Sequence, residues 1–183
     1  MGKIRHGNKK NIILFLSAIF VLTFLFSACS KKEKKGNGLV VINGLIYKKD
    51  SKVPYTGKEI GYTHGIKVQY DVVKGVKTGE FKTFYPNGAP QMAGNLINNK
   101  NEGLWKYYYP DSSLESQGNF KDDLPEGKWE WYYKDGKLKE IGYYAMGKRE
   151  GKWQDYNEKG KVILEKIYKD GKEIKKESDK KKK

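Results

Sequence analysis

The chain has 183 residues and a formal net charge of +15, with one Cys, two His, and 21 Gly against 5 Pro. One Cys excludes an intramolecular disulfide framework and any multi-Cys zinc or iron–sulfur cluster, and His6 and His64 alone leave little for a histidine-rich metal centre. The positive charge is uneven: acidic and basic side chains balance over residues 79–174, so the excess lies in the flanks. A neutral central block lacks the basic face that phosphate-backbone binding requires, and no nucleic-acid partner is expected.

Lys3, Arg5, Lys9 and Lys10 precede an apolar run from Ile12 to Phe26, and the small residues Ser27 and Ala28 stand directly before Cys29. This is the order of an export signal, a charged region, an apolar region and a small-residue cleavage site. The run of 15 residues is shorter than the roughly 20 of a spanning helix. Phe26-Ser27-Ala28-Cys29 resembles a bacterial lipoprotein signal, with Phe where the family usually has Leu. That resemblance implies cleavage after residue 28, lipidation of Cys29 and attachment to a membrane; the alternative is an uncleaved anchor with Cys29 as an incidental thiol. Ser30 carries no inner-membrane retention mark of the family's kind, which favours an outer-membrane or surface position. Residues 29–38, with Lys31, Lys32, Lys34 and Lys35, then read as a charged flexible tether.

From residue 79 the sequence repeats every 24 residues, in four gapless copies at 79–102, 103–126, 127–150 and 151–174. The first position is Gly79, Gly103, Gly127 and Gly151; the third is Phe81, Trp105, Trp129 and Trp153; the sixth is Phe84, Tyr108, Tyr132 and Tyr156. Turn dipeptides follow at Asn87-Gly88, Asp111-Ser112, Asp135-Gly136 and Lys159-Gly160. Such dipeptides between aromatic-rich runs predict hairpins whose two central residues take positive φ. Gly94, Gly118 and Gly142 punctuate the second arm and predict a bulge or a close backbone approach. A second loop near Asn98-Asn99, Asp122-Asp123, Gly147 and Asp170-Gly171 leads to the next copy.

Each unit is thus a β-hairpin that cannot bury its aromatic face alone and needs its neighbours. A degenerate copy at 57–78, after a strand from Val40 to Tyr47, completes a cap over 39–78. The expected fold is all-β: an elongated array of stacked antiparallel hairpins over residues 39–174, as an open meander or a solenoid. Residues 175–183 read as a basic tail too charged to pack.

The pattern G-x-W-x-x-Y, a turn and a second hairpin arm resembles the MORN-repeat variant of bacterial proteins. Pro54-Tyr55-Thr56-Gly57 ahead of the repeats resembles the YwqK-type antitoxin family, which carries such hairpins and implies a toxin partner. MORN repeats also accompany some phosphatidylinositol phosphate kinases, but this chain has no phosphate-binding glycine loop or metal-binding Asp motif in context. With His64 as the lone His after processing and no G-x-S-x-G, no hydrolytic triad assembles, and neither an enzyme activity nor a cofactor is expected.

Two features admit a binding role. Glu102, Glu126 and Glu150, each before a repeat glycine, form an acidic row able to meet a basic partner or a cation; Lys128, Lys152 and Arg149 can equally neutralise it. Third and sixth positions differ by an odd number, so their aromatics face opposite sides of a strand, the third and sixth sets serving mainly packing. Ligand contact is expected first at Tyr107, Tyr109, Trp131 and Tyr133, which are not aromatic in every copy. The function expected is a non-catalytic module binding or scaffolding a protein at the cell envelope; alternatives are adhesion to anionic lipid or polysaccharide through the lysine flanks, or antitoxin function.

Overall fold

The computed structural model describes residues 38–174. The signal segment, Cys29, nearly all of the tether and the tail 175–183 lie outside the described residues. The described part is all-β. In chain order the strands are β1 (Leu39–Ile42), β2 (Leu45–Lys48), β3 (Gly57–Thr63), β4 (Ile66–Val73), β5 (Val76–Phe84), β6 (Pro90–Ile97) and β7 (Lys100–Tyr108). They continue as β8 (Leu114–Lys121), β9 (Leu124–Tyr132), β10 (Leu138–Ala145), β11 (Lys148–Tyr156), β12 (Val162–Lys169) and β13 (Lys172–Ile174).

Strands β3 to β13 form one antiparallel sheet of 11 strands in strict sequence order, an open meander. Every neighbour in the sheet is therefore a neighbour in sequence, as a hairpin array requires. The hairpins β5–β6, β7–β8, β9–β10 and β11–β12 are the four repeats, so the repeat glycines stand inside strands rather than at their starts. Gly103, Gly127 and Gly151 have φ of 69°, 69° and 65° there, next to breaks in register with the preceding strand.

The region before the repeats differs from the expected single strand. Val40 to Tyr47 turns at Asn43-Gly44, with φ of 51° and 81°, into the two-stranded sheet β1–β2. That sheet joins the main one through the Ile46 amide, which donates to the Gly75 carbonyl at 2.9 Å, while the Gly75 amide donates to Tyr55 O at 2.7 Å.

The two ends of each hairpin turn by different rules, the reverse of the sequence expectation. At Asn87-Gly88 only Gly88 has positive φ, 85°; Gly88 N donates to Tyr85 O and Tyr85 N to Ala89 O, both at 2.9 Å. This is a type I turn followed by a left-handed residue, repeated at Ser112, Gly136 and Gly160. Its Asx side chain supplies the preference: Asn87 Oδ1 accepts the Ala89 amide at 3.0 Å, and Asp111 and Asp135 accept the equivalent amides. Both central residues take positive φ instead at the second loop, at Asn98-Asn99 (51° and 66°), Asp122-Asp123 (50° and 69°), Met146-Gly147 (48° and 78°) and Asp170-Gly171 (50° and 82°).

Candidate functional site

The signature residues meet at the seams between repeats. Phe81, Trp105, Trp129 and Trp153 are all buried on one face, Trp129 with no exposed surface. Each Trp lies across the glycine of the preceding strand. A Cβ at Gly94, Gly118 or Gly142 would stand 2.2, 2.2 or 2.3 Å from the ring of Trp105, Trp129 or Trp153. Such an approach is far inside van der Waals contact, so these positions accept only glycine while the Trp is present. The predicted close approach is found here together with the predicted bulge, since register shifts at Gly94 and Gly142 toward the following strand.

Between successive Trp rings stand Phe120 and Tyr144, and Tyr168 follows Trp153. Phe120 meets Trp129 edge-on with ring centres 5.2 Å apart, Tyr144 meets Trp153 at 5.1 Å, and Trp153 meets Tyr168 at 5.9 Å. Edge-to-face geometry suits the quadrupoles of the rings. The result is one zigzag of aromatics along the sheet.

The residues singled out for ligand contact take two arrangements. Tyr107 and Trp131 flank the zigzag on the same face: Tyr107 lies 6.2 Å from Trp129, and Trp131 lies 5.9 Å from Trp129 and 5.5 Å from Trp153. Burial pushes the Tyr107 phenol well above its ordinary range. Tyr109 and Tyr133 stand at the hairpin ends with Tyr85, and their hydroxyls donate across the seams. Tyr85 Oη reaches Tyr108 O at 2.7 Å, Tyr109 Oη reaches Tyr132 O at 2.9 Å, and Tyr133 Oη reaches Tyr156 O at 2.7 Å. The sixth-position residues Phe84, Tyr108, Tyr132 and Tyr156 are half-buried, and the hydroxyl of Tyr132 accepts from Gln117 Nε2 at 3.2 Å.

The acidic row is engaged with backbone rather than with a cation. Glu102, Glu126 and Glu150 accept the amides of Asp122, Met146 and Asp170 at 3.0, 2.8 and 2.9 Å, closing the tight turn that follows each of these hairpins. Thr78 Oγ1 takes the corresponding place in the first repeat, accepting from Asn98 N at 3.3 Å. This use was hidden from the sequence because the acceptor and the turn are 20 residues apart. His64 lies in the turn between β3 and β4 with φ of 50°.

The opposite face carries polar and ionic contacts. Lys128 bonds Glu130 at 2.6 Å and holds its carboxyl below the ordinary range, while Gln117 Nε2 donates to the same group at 3.0 Å. Lys152 pairs with Glu165 at 3.4 Å, and Gln154 Nε2 donates to Glu165 at 3.1 Å. Among the described residues, no group of three or more His, Cys, Asp or Glu side chains is placed to hold a metal ion.

The model of the MORN repeat variant matches residues 77–98, 101–122, 125–146 and 149–170, which are the four hairpins. No curated protein matches the chain. Among solved structures, one described as "Crystal structure of GtfA/B complex bound to UDP and GlcNAc" is 10% identical, with a TM-score of 0.22. The alignment takes in 85% of this chain and spans only 37% of that one. The four matched hairpins, their shared turn geometry and their aromatic zigzag make residues 77–170 an array of MORN repeats of the variant type.

Proposed function

We propose that the chain is an exported lipoprotein, anchored through Cys29, whose MORN repeats are a non-catalytic module that binds or scaffolds a protein at the cell envelope. The observation that carries this reading is the use made of the signature residues. Trp, Gly, Tyr and Glu of the inner repeats are committed to joining and closing repeats, which builds a regular two-faced sheet rather than a reactive cleft. Such a sheet offers area and register to a partner. The lipobox-like Phe26-Ser27-Ala28-Cys29 supplies the anchor in this reading. Two acyl chains or more hold a protein stably at a bilayer, because each buried CH₂ contributes about 0.8 kcal/mol.

Palmitate labelling of the full chain in its source cells tests the anchor: label is expected on the wild type and lost in Cys29→Ser. Crosslinking in the membrane, followed by a high-salt wash, tests the module. A stoichiometric protein partner that survives salt is the expected result. A second reading rests on the confinement of excess charge to the flanks. If only anionic lipid or polysaccharide is recovered, and salt removes it, adhesion through the lysine flanks replaces protein binding, since exposed charge contacts are screened beyond about 10 Å at 0.1 M salt. Recovery of a toxin would assign the antitoxin role instead.

A further inference from the structure

We propose that the seam between the third and fourth repeats is a proton-controlled joint, in which protonation of Glu140 or Asp155 tightens the last hairpin and ionisation of both loosens it. The argument starts from one row of the aromatic face. Across the earlier seams this row pairs Met92 with Tyr107 and Ser116 with Trp131, an apolar or small residue against an aromatic. At the next seam the same two places hold Glu140 and Asp155, directly opposite each other on β10 and β11. Like charges in directly opposed cross-strand positions destabilise a sheet.

The surroundings relieve the pair only in part. Trp131 of β9 stands opposite Glu140, and Leu164 of β12 stands opposite Asp155. Three cations lie near, each with a partner elsewhere. Arg149 of β11 stacks 4.1 Å from the Trp153 ring and donates to Tyr168 Oη at 3.1 Å. Lys166 of β12 pairs with Glu173 at 2.9 Å, and Lys139 of β10 lies 5.8 Å from the Tyr133 ring. Neither carboxylate accepts a hydrogen bond or forms an ion pair among the described residues. Burial, and then the charge of Asp155, push Glu140 above its ordinary range; burial pushes Asp155 up against the opposing pull of Arg149, Lys166 and Lys139. A carboxyl whose folded value is raised binds its proton more tightly in the fold. The stabilisation is therefore complete below the ordinary carboxylate range and is lost as pH rises through the raised values.

Amide hydrogen exchange of the full chain, corrected for intrinsic chemistry, reads the joint directly. Opening of β11 and β12, relative to β7 and β8, is expected to increase about tenfold between about pH 4.5 and pH 7.5, which corresponds to about 1.4 kcal/mol. Glu140→Gln and Asp155→Asn, which keep shape and remove one charge, are each expected to reduce that difference, and the two together to cut it to less than about twofold. They should leave β7 and β8 unchanged. A dependence of wild-type size in both variants overturns the proposal. So does an equal change in β7 and β8, because the titration would then be global.

Discussion

The inner repeats and the last one share the same backbone path but not the same side chains, and the differences fall where no further hairpin follows among the described residues. In the inner repeats Gly118 and Gly142 receive the next Trp, and Tyr109 and Tyr133 donate to the next carbonyl. In the last repeat the glycine place holds Lys166 and the tyrosine place holds Asn157. Lys166 turns to Glu173, and Asn157 Oδ1 accepts the Lys159 and Lys161 amides of its own turn at 3.0 Å. Glu150, by contrast, is retained, because the turn it closes at Asp170 is present. At the other end Phe81 replaces Trp where the strand before it offers Tyr70 rather than glycine, their rings 6.4 Å apart. Each repeat therefore contains residues whose purpose lies in its neighbour, and the ends identify them by omission.

Exchanging residues between the inner and last repeats breaks or sharpens this comparison. Gly142→Lys, which copies the last repeat into an inner one, forces a Cβ into the Trp153 ring; it should destabilise the third seam by about 3 kcal/mol or more, near the upper end for overpacking. Calorimetric melting and hydrogen exchange would show it, and a neutral effect would sink the neighbour argument. Trp129→Ala should cost about 3–5 kcal/mol by the same measurements. The reverse exchange, Lys166→Gly, should change stability by less than about 1 kcal/mol, since it removes an exposed ion pair and no following ring waits for the space. Tyr109→Phe loses the bond to the Tyr132 carbonyl and should cost about 1 kcal/mol in denaturant titration, while Asn157→Tyr should gain nothing measurable. Smallest is Glu126→Gln: the amide oxygen still accepts from Met146 N, and the loss of charge assistance should cost about 0.5 kcal/mol.

Much of this array is legible in the amino-acid sequence. A spacing of 24 residues placed every strand of the four repeats, and the odd interval between third and sixth positions correctly set Trp129 and Tyr132 on opposite faces. The turn types were not legible, because Asn-Gly and Asp-Gly serve both the two-residue hairpin loop and the longer type I loop, and only the hydrogen-bonding of the flanking strands separates them. The repeat frame is legible in period but not in phase, since a cyclic pattern marks no starting point and the repeat glycines fall inside strands. The partners of Tyr109, Tyr133 and the glutamate row escaped as well, because a hydroxyl or carboxylate that reaches a backbone group gives no complementary side chain to recognise.

By itself the sequence determined that residues 39–174 form an all-β array of hairpins, the period of that array and the burial of its third-position aromatics, because hydrophobic periodicity and turn chemistry are local and repeat without a gap. Only the tertiary structure decided what those residues touch. A glycine in a strand is ambiguous until the Trp ring of the next hairpin lies across it, and two acidic residues 15 positions apart become one site only when antiparallel register sets Glu140 opposite Asp155.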